Sequence, residues 1–329
     1  MLTTIYYFFK HLEHPSSHFI EKLTALGIRS AFNPSLPVSE LQGRKDLLIL
    51  TDNSIDYNTF SSSGIPVIYV ESPEHPAPMN ARYLLLDYEE VDISYLIKVH
   101  SRLIGVPAVI ASDDRMILRE LCADDYSAFA DYYNKYREFF EEMNFNIAEE
   151  DDDRASENVH KKAGYNIADA NGEYAGREYF EAYCKSAYDF YDYGLYLITT
   201  VDGIVPDDIV SNSTTPGHIT PGDVASNITT PNGTSHGNVT SVGIAGLMPD
   251  SADNAVQIGY LIDKSHRRQG FAYRACKHLI KYAEELGFEV ILAHTASDNL
   301  PSRMLLKSLG FTPDTSVPDP KTIQYALRL

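Results

Sequence analysis

Arg267, Arg268, Gln269, Gly270, Phe271 and Ala272 are consecutive residues whose types and order can do chemistry. Two guanidinium groups stand just before a glycine, and the glycine opens a segment in which Ala272, Ala275, Leu279 and Ala283 recur at helical spacing as far as Leu286. A helix N-terminus presents unpaired backbone N–H groups and the positive end of the helix dipole, so this turn suits a pyrophosphate. Gly270 lets the backbone approach the phosphates without a Cβ clash, Ala272 keeps that approach narrow, and Arg267 and Arg268 add charge at the rim. Taken alone, the turn reads equally well as an ordinary basic helix start.

A phosphate-binding turn has to be held by strands on either side. Gln257 to Asp263 reads as the strand that enters it, and Glu289 to His294 as the strand that follows the helix. Beyond lie Asn299-Leu300-Pro301-Ser302-Arg303, a short helix from Ser302 to Leu309, and Leu309-Gly310-Phe311. Upstream, the pattern predicts a strand Met116 to Leu121, a helix Asp124 to Phe140, an acidic segment, a tyrosine-rich helix Tyr174 to Tyr191 and a strand Leu195 to Val201. The tyrosines between Tyr174 and Tyr196 suit either the wall of an acceptor cleft or a core stripe. Gly203 to Ser241 is dominated by Ser, Thr, Asn, Gly and Pro, and Ser211-Asn212-Ser213-Thr214-Thr215-Pro216 recurs as Ser226-Asn227-Ile228-Thr229-Thr230-Pro231. Such a stretch holds too few large apolar residues to form a core, so it is expected to project as a long hairpin loop ahead of Val242 to Met248.

Residues 1–110 have a different character. Asp46 to Leu50, Pro66 to Val70 and Tyr83 to Leu86 read as buried strands, while Ser54 to Ser63 and Ile93 to Ile104 carry helical spacing. That alternation predicts a small parallel α/β domain, with Val106 to Arg115 connecting it to a second domain from Met116. Asp52 follows a strand, where open α/β sheets place functional groups, but Ser54 stands where an aspartyl phosphatase would want its second carboxylate. Asp52 and Ser54 therefore read as turn and helix-capping residues, and the domain's role is open.

The later motifs give the basic turn its context. The order Arg267, Gly270, Ala272, then Asn299 ahead of a helix ending in Leu309-Gly310-Phe311, resembles the GCN5-related N-acetyltransferase (GNAT) family over about 116–329. Ile258-Gly259-Tyr260-Leu261-Ile262 and Ile117-Leu118-Arg119-Glu120-Leu121 resemble the branch that includes ribosomal-protein amino-terminal acetyltransferases. Similar leader domains accompany acetyltransferases in some anaerobic bacteria. The resemblance implies an α/β fold: a GNAT-type mixed central sheet with flanking helices, preceded here by the small parallel α/β domain. It implies acetyl-CoA as cosubstrate, bound where the fourth and fifth family strands splay apart. Backbone groups of Leu261 and Ile262 would hold the pantetheine arm, Arg267, Arg268, Gln269, Gly270, Phe271 and Ala272 the pyrophosphate, and Asn299 and Ser302 the far side. The acceptor would be a primary amine attacking the thioester directly in a ternary complex. Two positions depart from the family: Gln257 stands where many members carry a carboxylate, and Leu306 where a tyrosine often protonates the leaving thiolate. Water, Tyr260 and His294 are left as proton carriers, although both side chains also suit hydrogen-bonded structural roles.

Composition sets the outer limits. The chain has 329 residues, enough for two cores, and 44% hydrophobic with 22% charged residues is the balance of a globular protein. No apolar run approaches the roughly 20 residues of a membrane span. A net charge of -19 disfavours nucleic acid as a partner. The acidic run Glu149 to Asp153 reads as a solvated loop. The three cysteines lack metal-type spacing, so no metal site is expected, and they fit a reducing cytoplasm. Asn-x-Ser/Thr triplets at Asn212, Asn227, Asn232 and Asn238 follow from composition in a chain with no secretory signal in view. Two rivals to an active acetyltransferase stay open: a non-catalytic acyl-CoA-binding or regulatory module, and a bifunctional chain with a hydrolase in residues 1–110.

Overall fold

A computed structural model describes residues 1–135, 177–202, 238–314 and 321–329. Within them the chain divides into one compact unit over Met1–Val109 and another from Ile110 onward.

The first unit runs β1 (Thr4–Phe8), α1 (Ser17–Ala25), β2 (Arg29–Phe32), α2 (Val38–Leu41), β3 (Leu47–Thr51), α3 (Ser54–Ser62), β4 (Val67–Val70), β5 (Leu84–Leu85) and α4 (Ile93–Leu103). Its five strands are ordered β2-β1-β3-β4-β5 and every pair is parallel. Parallel sheets are covered on both faces, which is why β3 is an unbroken apolar run. Leu48 and Leu50 pack with Phe19 and Leu23 of α1 and Leu96 and Val99 of α4, while Leu47 and Ile49 pack on the other face with Leu41, Tyr57 and Phe60. β2 was not foreseen, because Arg29-Ser30-Ala31-Phe32 is a half-exposed edge without an apolar run. The helix cap after β3 is also different from the expected one: Asn53 accepts the Ile55 and Asp56 N–H groups, and Ser54 is already helical.

The second unit contains β6 (Val109–Ser112), β7 (Ile117–Glu120), a 3-10 turn Ala123–Asp125, α5 (Tyr126–Lys135), α6 (Arg177–Tyr191), β8 (Leu195–Asp202), β9 (Asn238–Pro249), β10 (Ala255–Ile262), α7 (Phe271–Glu285), β11 (Val290–Ala296), α8 (Leu300–Ser308), β12 (Thr312–Asp314) and β13 (Thr322–Arg328). Its eight strands form one mixed sheet ordered β12-β13-β11-β10-β9-β8-β7-β6, in which β10 and β11 are parallel while the pairs β7–β8, β8–β9 and β9–β10 are antiparallel. Residues 109–112, read from sequence as connection, supply the edge strand. β8 and β9 are antiparallel neighbours flanking the Ser/Thr/Asn-rich segment; of the sequence expectations, the loop over 203–237, the helix beyond Lys135 and the acidic run lie outside the described residues.

Helices cover this sheet through apolar stripes. On α7, Phe271, Ala275, Cys276, Leu279, Tyr282 and Ala283 are buried, a spacing that keeps them on one face against the sheet. Gly243 and Gly246 of β9 lie where neighbouring backbone comes closest: a Cβ on Gly243 would sit 2.2 Å from the Leu261 carbonyl oxygen, and one on Gly246 2.7 Å from that of Gly194. These two glycines let β9 fit tightly beside β10 and the start of β8.

Candidate functional site

The sheet opens in its middle. β10 pairs with β9 from Val256 to Ile262, and β11 pairs with β13 along its whole length, Val290 to Ala296. With each other, β10 and β11 pair only from Ala255–Gln257 to Val290–Leu292. Past that point the two parallel strands separate, and Ile258 to Ile262 on one side and Ala293 to Ala296 on the other line a cleft of about 1220 Å³. Strand backbone that has lost its ladder partner offers N–H and C=O groups to an extended, amide-containing ligand.

The N-terminus of α7 stands at this cleft. Gly270 is its cap residue, in the left-handed region at φ 87°, and Arg268 has φ 60°. Glycine is required at 270 by that dihedral, not by crowding: a Cβ there would meet no protein atom within 4 Å. The first-turn N–H groups of Phe271, Ala272 and Tyr273 have no i−4 carbonyl and receive no side-chain cap. Phe271 contributes backbone only, since its ring is buried in the core. Arg267 donates from Nε to the Ile262 carbonyl at 3.0 Å, strapping the turn to the end of β10. Arg268 is exposed on the cleft lining. Gln269 is not on that lining; its Nε2 donates to the Ser265 carbonyl at 3.2 Å. The other nine residues expected from sequence to hold the cosubstrate do line it.

On the far side, Asn299 caps α8, its Oδ1 accepting the Ser302 N–H at 3.3 Å. The Tyr260 hydroxyl, arriving from β10, lies 2.6 Å from Ser302 Oγ, and burial raises the phenol's pKa above its ordinary value. His294, half-buried on β11 opposite Gln324, also faces the cleft. Gln257 sits where the strand pairing ends, is 3% exposed and lines the cleft. Leu306 is buried on the α8 wall. Lys135, Arg267 and Arg268 stand against Asp298 as the fixed charges on the lining, in contrast to the acidic chain as a whole. Lys135 pairs with Asp263 at 3.0 Å, and the hydrogen bond from this lysine holds the Asp263 carboxyl below its usual range. Sequence reasoning missed Lys135 and Thr295, because neither a helix-end lysine nor a strand threonine signals a partner distant in sequence.

Four tyrosines of the tyrosine-rich stretch belong to the core. Tyr183, Tyr188, Tyr193 and Tyr196 are buried, and none of them lines the cleft. The Tyr183 hydroxyl accepts the Leu195 N–H at 2.8 Å, while the Tyr188 hydroxyl accepts the Leu121 N–H and donates to the Leu195 carbonyl. In the first unit, Asp52 is fully engaged: its carboxylate accepts the N–H groups of Lys10, His11 and Leu12 at 2.8, 2.7 and 2.7 Å. A carboxylate committed to three donors is a weak nucleophile, so Asp52 fastens the loop after β1. Among the described residues no group of His, Cys, Asp and Glu is placed to hold a metal ion.

Residues 222–312 match the family model described as the acetyltransferase (GNAT) domain. The uncharacterized N-acetyltransferase YjdG of Bacillus subtilis (strain 168) is 39% identical over 74 residues, which are 21% of this chain and 43% of that protein, so the match spans less than half the relative's length. Among solved structures, an acetyltransferase from Agrobacterium tumefaciens str. C58 aligns at 15% identity and TM-score 0.38, covering 67% of this chain and 94% of that one. The yncA putative acetyltransferase from Salmonella typhimurium, solved with its cofactor acetyl-CoA, aligns at 17% identity and TM-score 0.36, covering 65% and 93%. The stretch that matches the GNAT model lies within the mixed α/β sheet of the second unit, which is flanked by helices, and a five-stranded parallel sheet precedes it.

Proposed function

We propose that the chain is an acetyl-CoA-dependent N-acetyltransferase that passes an acetyl group to a primary amine by direct attack within a ternary complex. The observation that carries this reading is the cleft opened between β10 and β11 with the uncapped N-terminus of α7 at its edge. An amide-rich arm ending in a pyrophosphate has two separate demands, unpaired strand edges and a cluster of N–H groups, and both are met along one surface. In this reading the backbone of Leu261 and Ile262 holds the pantetheine arm. The N–H groups of Phe271 and Ala272, with the Arg267 and Arg268 guanidinium groups, hold the pyrophosphate. Asn299 and Ser302 close the opposite side.

Holding both reactants in one cleft supplies much of the rate by replacing a bimolecular encounter with a positioned one. The amine must arrive neutral or lose its proton, and developing oxyanion charge must meet a donor such as a strand-edge N–H. Gln257 can donate and accept hydrogen bonds but cannot serve as a base. We assign proton removal to water or His294. Ile258-Gly259-Tyr260-Leu261-Ile262 supports a place near the ribosomal-protein amino-terminal acetyltransferases. The free cysteines, Cys122, Cys184 and Cys276, support a reducing cytoplasmic setting, and among the described residues no helix is long and apolar enough to cross a membrane. We take residues 1–110 as a leader domain distinct from an acetyltransferase domain over 116–329, with an insertion at about 203–241.

A second reading, a non-catalytic acyl-CoA-binding module, is favoured by Gln257 and Leu306. Incubation of the purified chain with acetyl-CoA and a panel of primary amines separates the two. Amine-dependent release of free thiol supports the enzyme. Saturable binding with no thiol release from any amine would leave the binding module.

A further inference from the structure

We infer that Gln257 selects the acyl group of the donor by closing the end of the cleft, which makes it a specificity-determining residue for short acyl chains; the inference rests on the acyl-transfer reading above. The direction of a bound donor follows from the order of the elements. Arg267 ties the phosphate-binding turn to the Ile262 carbonyl, so the pyrophosphate end lies at the C-terminal end of β10. An arm that follows the free edge of β10 therefore runs from Ile262 back toward Gln257. Between phosphate and sulfur, a pantetheine arm has as many chain atoms as about four to five residues of extended backbone, at about 3.3 Å each. It spans Ile262 to Ile258, and the acyl group beyond the sulfur comes level with Gln257.

The cleft closes at that level. Gln257 is paired with Leu292, and paired strands stand about 4.8 Å apart, too close for a chain to pass between them. A longer acyl group has to leave the plane of the sheet toward one face or the other. Ile258 shares a face with Tyr260, whose hydroxyl reaches Ser302 of α8. On that side the acyl group meets Ile258 and Leu306, which are 2% and 1% exposed and belong to the core. Side chains alternate along a strand, so Gln257 is on the opposite face, with Leu292 of β11 and Met248 of β9 beside it in register. Gln257 is almost wholly buried yet on the cleft lining, so its amide is the group that an added methylene presses on. Bulk then has to move within packed surroundings, and an apolar methylene takes the place of a hydrogen-bond partner at a buried amide. Acetyl stops short of this wall, whereas propionyl and butyryl run into it.

Calorimetric titration with CoA, acetyl-CoA, propionyl-CoA and butyryl-CoA, with no amine present, reads this selection without turnover. Each Kd is taken relative to that of CoA, which has no acyl group, so a general weakening of binding cancels. In the parent, each methylene beyond acetyl weakens binding by about 10-fold or more. Gln257→Asn keeps the amide and withdraws it by one methylene; it takes propionyl-CoA as tightly as acetyl-CoA and still discriminates against butyryl-CoA. Gln257→Ala brings butyryl-CoA to the same level as the others. With any amine that is acetylated, kcat/KM for these donors follows the same order in each protein. A parent that binds all the acyl-CoA esters equally overturns the inference. So does a folded Gln257→Asn that binds CoA and keeps the parent's order unchanged, and this variant decides the matter where Gln257→Ala fails to fold. A folded parent that binds neither CoA nor its esters overturns the acyl-transfer reading itself, and this inference with it.

Discussion

Arg119 and Asp125 show what a single buried contact contributes. Asp125 accepts two bonds from the Arg119 guanidinium, both at 2.7 Å, and a third from the Cys122 N–H at 2.9 Å, with both side chains about nine-tenths buried. Burial alone raises the Asp125 pKa, but the hydrogen bonds and charge of Arg119 outweigh it and leave the carboxyl below its usual range. Asp125→Ala strands a buried guanidinium and is predicted to cost about 3–5 kcal/mol, measured from urea unfolding of the parent and variant. Residues differ in how far their roles can be read from sequence. Gly270 was legible because a turn entering a helix at positive φ requires a residue without a Cβ, a local property. The Tyr260–Ser302 bond was not legible, since it depends on where two distant elements meet. Phe271 was legible only in part: its position on the turn was read, but that its ring belongs to the core and only its N–H to the cleft is a matter of packing.

Elements carry their own constraints. Gly243→Ala would press a methyl against the Leu261 carbonyl and the Ile262 backbone, neither of which can move without disturbing β10. We predict a loss of about 1–3 kcal/mol or more, with weaker acetyl-CoA binding because the cleft edge shifts; urea midpoints and calorimetric Kd values check the two parts. In α4, His100 is 1% exposed with Nε2 unpartnered among the described residues, and burial lowers its pKa from 6.5 to about 4. Its depressed folded pKa favours the neutral ring, so the stability it contributes is present above about pH 6.5 and is lost as pH falls toward 4, by on the order of 3 kcal/mol in full. The urea midpoint of the first unit should drop between pH 7 and 5, and a His100→Leu variant should flatten that dependence. Strands with continuous apolar runs, such as β3, β4 and β8, were legible to within a residue or two. β2, β6 and β12 were not, because they are short or half-exposed and carry residues such as Arg29, Ser112 and Pro313 that equally suit loops.

At the scale of the whole molecule, each unit has its own core, and a ligand held by the cleft should stabilise the second unit. Acetyl-CoA at about 100 times its Kd should add about 2.7 kcal/mol to that unit's stability. The general α/β architecture could be read from alternating strand and helix patterns, and the cleft from the ordered basic turn and Asn299. That two neighbouring strands splay apart was implied by the family resemblance; the residues at which β10 leaves β11, Gln257 and Leu292, could not be read, because register is a property of the assembled sheet. The net charge was a poor guide to the cleft, whose lining carries Lys135, Arg267 and Arg268 within a chain of charge -19. The most direct measurement is a calorimetric titration of the parent protein and a Gly270→Glu variant with acetyl-CoA. Saturable, equimolar binding is expected of the parent and is lost in a variant whose circular dichroism shows it folded, because the glutamate puts bulk and negative charge over the α7 N-terminus. A folded parent that takes up no acetyl-CoA, or a variant that binds it as tightly as the parent, would rule out a pyrophosphate site at the α7 N-terminus.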